Sequence, residues 1–275
     1  MRVLISADME GVTGVTCPAD VEPGTPEWNY HRIFFTSDVN AAIRGFFDAG
    51  AEEVMVNEAH STKRNLLLDQ LDDRATMLTG WHKKLGMMEG IDTGVDAVAY
   101  IGYHAGAGTQ GILSHTYLGN TITGVWLNGA LASEGYLNYW LAAEHNVPLV
   151  LVTGDDRTIA DAATYAPETE GVAVKKCVDR YSAICLPPTK TAELIYKAAV
   201  TGLKNPPRVP AVEGPYEIIV EFDATNPVDA CTAIPSVVRA GDRRVRFELP
   251  TMVEAMRCFG AVTTLASVSK EMVYG

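Results

Sequence analysis

The sequence predicts an α/β fold, with a mostly parallel sheet covered by helices on both faces and a smaller C-terminal α+β unit in a βαβα order. Three observations predict it. Short apolar runs rich in Val, Ile and Leu alternate with longer amphipathic stretches, the signature of a parallel sheet under helices. Three of those runs end in acidic or imidazole residues. A proline-rich stretch, Asn205-Pro206-Pro207-Arg208-Val209-Pro210, then breaks the pattern.

The elements follow in order. Residues 2–7 read as the first strand, through Val3-Leu4-Ile5. Residues 28–49 read as a helix, with Ile33, Phe34, Ala41, Phe46 and Phe47 as its apolar positions. Ala49-Gly50-Ala51 closes it, and 53–57 is the second strand. The third ends the apolar stretch 94–103. Val125-Trp126-Leu127 before Asn128-Gly129 predicts a hairpin turn. A helix over 133–145 and a buried strand over 147–153 come next, and Gly154-Asp155-Asp156 is expected to cap a helix beginning at Arg157 or Thr158. A helix over 190–204 leads to the proline-rich boundary, which divides the chain into 1–208 and 209–275. Beyond it, strands at 216–222 and 243–249 alternate with helices at 227–234 and 252–266. A unit that short has too little core to stand alone and is expected to pack on the first.

Composition narrows the function. The 275 residues are 47% hydrophobic and 20% charged, with a net charge of −12. Such an acidic chain lacks the clustered Lys and Arg that phosphate backbones or anionic membranes require. No apolar run approaches the roughly 20 residues of a membrane span. The N-terminal apolar run reaches Asp8 and Glu10 too soon for a secretory signal. Five cysteines with no CxxC spacing read as reduced thiols. A cytoplasmic protein is expected.

The chemistry gathers where strands end. Ser6-Ala7-Asp8-Met9-Glu10-Gly11, Val56-Asn57-Glu58-Ala59-His60-Ser61 and Gly102-Tyr103-His104-Ala105 each close a β-type run. In an open α/β sheet, ligands sit just beyond the carboxyl ends of the strands. Asp8 and Glu10 share a face at i and i+2, and two adjacent carboxylates repel unless protonated or metal-bound. Joined by His60 and His104, they form a mixed oxygen–nitrogen donor set suited to zinc or a similar divalent metal. Asn57 either orients a ligand from behind or ends its strand. Glu134, opening a helix, is either one more ligand or a carboxylate placed by the helix dipole. His115 follows a glycine-containing loop, 106–111, that lacks the spacing of a phosphate-binding loop. Near a metal it can shuttle a proton or attack as a nucleophile, and elsewhere it is an ordinary loop histidine. His31, His82 and His145 read as structural or exposed.

These motifs together resemble the DppA-type D-aminopeptidases, a family of dinuclear zinc peptidases. Residues 6–11 are similar to the family's SxDMEG opening, 56–61 to its VNDSHS element, Ile101-Gly102-Tyr103-His104 to its Leu-Gly-Tyr-His, and Ser114-His115-Thr116 to its SHS. Asn128, Glu134 and Leu137-Asn138 follow the family's order, and 147–156 is similar to its VPVLMVAGDD strand. The resemblance implies metal ligands at Asp8, Glu10, His60, His104 and Glu134, two zinc ions per subunit bridged by Asp8, and a catalytic His115. It also implies short peptide substrates with a preference for D-residues, and a homo-decamer of two stacked pentameric rings. The chain departs from the pattern at Glu58 and Ala59 beside His60, and at Ser133 and Tyr136 around Glu134. Two other readings fit the residues: a metal-dependent amidase or esterase acting on small non-peptide substrates, and a binding protein with a structural metal.

Overall fold

The computed structural model describes residues 1–270. In chain order the elements are β1 (Arg2–Ala7), α1 (Pro26–Asp48), β2 (Glu53–Glu58), β3 (Thr76–Leu78), β4 (Ala97–Ile101), β5 (Ile122–Leu127), β6 (Ala130–Leu131) and α2 (Glu134–Glu144). They continue with β7 (Leu149–Asp155), α3 (Asp156–Tyr165), β8 (Glu170–Asp179), β9 (Ser182–Cys185) and α4 (Pro188–Lys204). The last are β10 (Tyr216–Phe222), α5 (Asn226–Cys231), β11 (Val238–Arg239), β12 (Arg244–Leu249) and α6 (Met252–Ser269).

The main sheet runs β3-β2-β1-β4-β7-β8-β9, and every neighbouring pair is parallel except β8 with β9. Its two faces follow from the two-residue strand period. Val3, Ile5 and Ala7 point into one core with Phe35, Val39, Ile43 and Phe46 of α1 and Ile195, Ala199 and Leu203 of α4. Leu4, Val98, Tyr100 and Val152 point the other way, into a core with α2, α6 and the second sheet. That sheet is antiparallel, in the order β11-β12-β10-β5-β6. The α/β architecture with sheet strands under helices is as expected from the sequence.

Three details differ. The buried stripe of α1 is Phe35, Val39, Ala42 and Phe46, whereas Ile33 is 47% exposed and Phe34 and Phe47 are half-buried. The helix begins at Pro26, capped by the Thr25 hydroxyl, which accepts from the Trp28 amide at 3.0 Å. Of the expected apolar positions, Ala41 and Phe46 are buried as anticipated from the sequence, and the stripe is completed by Phe35, Val39 and Ile43. Strands β3, β8, β9 and β11 carry no clear apolar alternation and were not anticipated. The strands beyond residue 208 share a sheet with β5 and β6, so the expected smaller unit is completed by residues 122–131. The Asn128-Gly129 turn has φ of 49° and 82°, the left-handed pair a tight hairpin needs, and it joins β5 to β6.

Strand β8 reaches the site through one buried side chain. Lys175 is 2% exposed, and its ammonium donates to the carbonyls of Glu10 at 2.7 Å, Val12 at 2.9 Å and Val15 at 2.6 Å. The loop after β1 is thus tied to a strand three positions away in the sheet. Asp38 of α1 holds the same loop from the other side, accepting from the amide and hydroxyl of Thr13 at 3.0 Å each. Replacing Lys175 by Met removes all three donors and leaves the carbonyls of Glu10 and Val15 unpaired, at about 1–3 kcal/mol per group, while the Val12 carbonyl keeps the Val15 amide at 3.2 Å. The melting temperature of Lys175→Met, followed by circular dichroism, is expected to fall by roughly 4–12 °C. A fall below about 2 °C would show that the ammonium is not what holds the loop.

Candidate metal centre

The order β2-β1-β4 sets the geometry. His60 follows β2, Asp8 and Glu10 follow β1, and His104 follows β4, so the two histidines flank the carboxylates from either side. Pairing continues past the strand ends. Ala59 N–H donates to the Ala7 carbonyl at 2.7 Å, Asp8 N–H to Ile101 at 2.8 Å, and Gly11 N–H to Gly102 at 2.7 Å. This is the switch point, where the chain winds outward to β2 on one side and β4 on the other. Two glycines permit the close approach. A Cβ on Gly11 would lie 1.8 Å from the Tyr103 carbonyl oxygen, and one on Gly102, at φ +73°, would lie 2.1 Å from that of Asp8.

Asp8 stands at the centre. Its Oδ1 lies 3.3 Å from His60 Nδ1, and its Oδ2 lies 3.3 Å from His104 Nε2. Glu10 Oε2 is 2.9 Å from the same His60 nitrogen. Glu134, the first residue of α2, brings Oε1 to 3.4 Å from His104 Nε2 and accepts the Tyr117 amide at 2.7 Å. Ser133 caps that helix through Tyr136 N–H and so fixes where Glu134 begins. Donor atoms therefore fall into two compact groups that share Asp8: Asp8–Glu10–His60 and Asp8–His104–Glu134. A third group, Glu10–His104–His115, overlaps both.

His115 stacks on His104, with centroids 4.2 Å apart and planes 7° from parallel. Its Nε2 is 3.8 Å from Glu10 Oε1 and from Glu134 Oε1. The loop that carries it is pinned by His115 N–H to Ala105 O at 3.2 Å and by Ile112 N–H to Asp155 Oδ2 at 2.6 Å. The other Asp155 oxygen caps α3 through Thr158 N–H, the role expected for that segment.

All three imidazoles are oriented by backbone carbonyls. His60 Nε2 faces Val21 O at 2.9 Å, His104 Nδ1 faces Ala105 O at 3.0 Å, and His115 Nδ1 faces Leu113 O at 2.8 Å. In the neutral ring the nitrogen facing a carbonyl carries the proton, and its partner turns a lone pair toward the carboxylates. A lone pair opposed to a carboxylate is repulsive unless a proton or a cation lies between them. His104 Nε2 is buried without a hydrogen-bond partner. The donor set thus fits divalent metal ions, and second contacts of the histidines fit the way metal-bound imidazoles are held.

Asn57 lies apart from the donors. Its amide donates to Met87 O at 2.7 Å, and its oxygen accepts from Lys83 at 2.7 Å, so it braces the turn 86–88 beneath the site. Buried Glu58, a departure from the family pattern in the sequence, has a structural part of its own. It accepts the amides of Asn65 and Leu66 and thereby shapes the loop after His60, whose carbonyl accepts from the Asn65 side chain at 2.9 Å. The sequence signals for Glu58 are its position at the end of an apolar strand and its departure from the family motif. The donors open onto a cavity of about 740 Å³ whose walls include Lys63, Trp81, Met87 and Tyr117.

A buried carboxylate–imidazole centre at the switch point of a parallel sheet, opening on a cavity, defines a metallohydrolase class of site. The chain belongs to the D-aminopeptidase family, whose model matches residues 1–261. A D-aminopeptidase of Bacillus subtilis (strain 168) is 29% identical over 269 residues, covering 97% of this chain and 98% of that one. The solved structure of the Zn-dependent D-aminopeptidase DppA from Bacillus subtilis, a self-compartmentalizing protease, is similar with a TM-score of 0.95 at 28% identity. That likeness covers 99% of this chain and 100% of the other.

The cluster also sets its own protonation. Burial alone would favour neutral imidazoles, but Glu10 and Asp8 outweigh it and raise His60 well above the ordinary histidine range. Glu134 and Asp8 do the same for His104. Burial pushes Asp8 up, and the neighbouring imidazoles of His104 and His60 outweigh it, so Asp8 is held well below the usual aspartate range. In the metal-free chain, protons hold the place of cations. A raised imidazole contributes stability fully below its unfolded value of about 6.5 and loses it as pH climbs through the folded value. The depressed Asp8 contributes above about 3.9 and loses it only toward stronger acid. Thermal melts of metal-free protein are therefore expected to fall as pH rises from about 6.5 to 9, and metal-loaded protein is expected to fall less. Calorimetry at pH 7 in buffers of different ionisation enthalpy is expected to record protons released on metal uptake. A metal-free melt flat across that range, with no proton release, would remove the protonated cluster.

Proposed function

We propose that this chain is a zinc-dependent aminopeptidase that hydrolyses the N-terminal peptide bond of short peptides, with a preference for D-residues. The observation that carries the reading is Asp8, whose two oxygens face imidazoles of two separate donor groups. Asp8, Glu10 and His60 would hold one zinc, and Asp8, His104 and Glu134 the other. A zinc pair, when bound, supplies Lewis acidity toward the peptide carbonyl and acidifies water for attack.

The chain's own residues do the rest. The carbonyls of Val21 and Ala105 fix the tautomers of His60 and His104, keeping their inner nitrogens turned to the site. Leu113 O does the same for His115, leaving its Nε2 to take or give a proton beside Glu10 and Glu134. We assign His115 the proton transferred to the leaving amine. Trp81, Met87 and Tyr117 give the cavity apolar walls against which a substrate side chain can pack. The open cavity supports a catalytic rather than a closed structural centre.

The solved relative is a self-compartmentalizing protease. We extend to this chain a homo-oligomer, and a homo-decamer as its form. The five free cysteines are in keeping with action in a reducing, cytoplasmic setting. No described helix is long and apolar enough to cross a membrane.

Paired D- and L-aminoacyl peptides, each with an N-acylated control, test the reaction. Chelation is expected to abolish hydrolysis, zinc to restore it, and the acylated controls to stay intact. Full activity in verified metal-free protein would sink the metal reading, and cleavage of the acylated controls would point to an amidase. His115→Ala is expected to keep its metals and its melting temperature yet lose about 10²–10⁴-fold in kcat. Near-normal kcat in that metal-loaded variant would take His115 out of the mechanism.

A further inference from the structure

The site continues past His115 into a side pocket of about 190 Å³, lined by Glu10, Leu113, His115, Asn120, Arg180 and Tyr181 among others. Arg180 and Tyr181 form the turn between β8 and β9. Two bonds tie this turn to the loop that carries His115. Leu113 N–H donates to the Arg180 carbonyl at 3.0 Å, and Arg180 Nη1 donates to Ser114 Oγ at 3.0 Å. Arg180 Nε faces the Tyr181 hydroxyl at 3.3 Å, and the guanidinium lies 5.8 Å from the Tyr181 ring centroid. A guanidinium offers five N–H donors in a planar fork. Among the described residues, the partners of this one are hydroxyls and a ring, and none is a carboxylate.

We propose that Arg180 binds the free C-terminal carboxylate of the peptide substrate and so tunes the enzyme to di- and tripeptides. The inference rests on the aminopeptidase reading. With the amino end of a peptide at the metals and His115 beside the leaving nitrogen, the remainder of the substrate extends past His115, where the Arg180 pocket opens. In a dipeptide the carboxylate begins within about 4 Å of that nitrogen, and in a tripeptide about 3.5 Å further on. The planar fork matches a carboxylate in two parallel hydrogen bonds, which a neutral peptide group of a longer chain cannot reproduce.

The test uses the full-length, zinc-loaded enzyme and matched di- and tripeptides as free acids and as C-terminal amides. A charge-assisted pair predicts that the wild type favours the acid by roughly 10- to 100-fold in kcat/KM, mainly through KM. In Arg180→Met the acid-to-amide ratio is expected to collapse toward one, and Arg180→Lys, which keeps the charge without the fork, is expected to retain part of it. A wild-type ratio near one would overturn the proposal. So would an Arg180→Met protein in which acid and amide fall by the same factor, because that pattern belongs to a residue that only holds the His115 loop or a neighbouring subunit. If the zinc-loaded wild type cleaved neither form, the aminopeptidase reading itself would fail and this inference with it.

Discussion

The structure depends on one carboxylate held between two imidazoles. Asp8 follows the central strand of three, and a histidine follows the neighbouring strand on each side. The order β2-β1-β4 therefore delivers one imidazole to each Asp8 oxygen. The geometry is a product of strand order and of the bonds that carry the ladder one or two residues past the strand ends. Burial makes this arrangement costly unless positive charge is shared across it, as protons or as metal ions.

The residues around the donors answer that cost by keeping the backbone rigid. Lys175 ties three carbonyls of the loop after β1, Asp38 takes two hydrogens from Thr13, and Glu58 gathers the amides of Asn65 and Leu66. Each is a buried ionisable group whose partners are largely main chain. Burial raises the Asp38 carboxyl to about 6 despite its bonds to Thr13 and the nearby Lys175 charge. Such groups resemble ligands by burial alone. What separates them from the centre is geometry: they face amides and carbonyls rather than one another.

Much of this was legible in the sequence, and the reasons are physical. Strands β1, β2 and β4 are buried on both faces, so their apolar runs are continuous and their ends are sharp. Polar residues just beyond such ends stand out, which is how Asp8, Glu10, His60 and His104 were found. Strand β8 lacks a sharp apolar run because it lies near the sheet edge, and because Lys175 and Lys176 interrupt its alternation, the first buried and the second exposed. Sequence cannot show that the first of two adjacent lysines turns inward to bind carbonyls far away in the chain. The buried face of α1 is fixed by its packing on β1 and α4, which picks Phe35, Val39, Ile43 and Phe46 from a helix with apolar residues on several sides. Glu134 and His115 could not be weighed from local pattern, since their partners come from other strands. Arg180 carries no local signal for the same reason: its neighbours His115 and Ser114 lie more than sixty residues away.

The orientation of the three imidazoles by Val21, Ala105 and Leu113 carbonyls has a consequence for how the centre tolerates change. A histidine steered by an aspartate or asparagine side chain loses its tautomer when that one residue mutates. A carbonyl oxygen belongs to every amino acid, so the side chains at 21, 105 and 113 can vary in kind while the instruction to the ring persists. The protonation pattern of the donors is thus written into the path of the main chain rather than into the identity of neighbouring side chains. It would be erased by a shift of the loop, through an insertion or a broken turn, more readily than by any single replacement at those three positions.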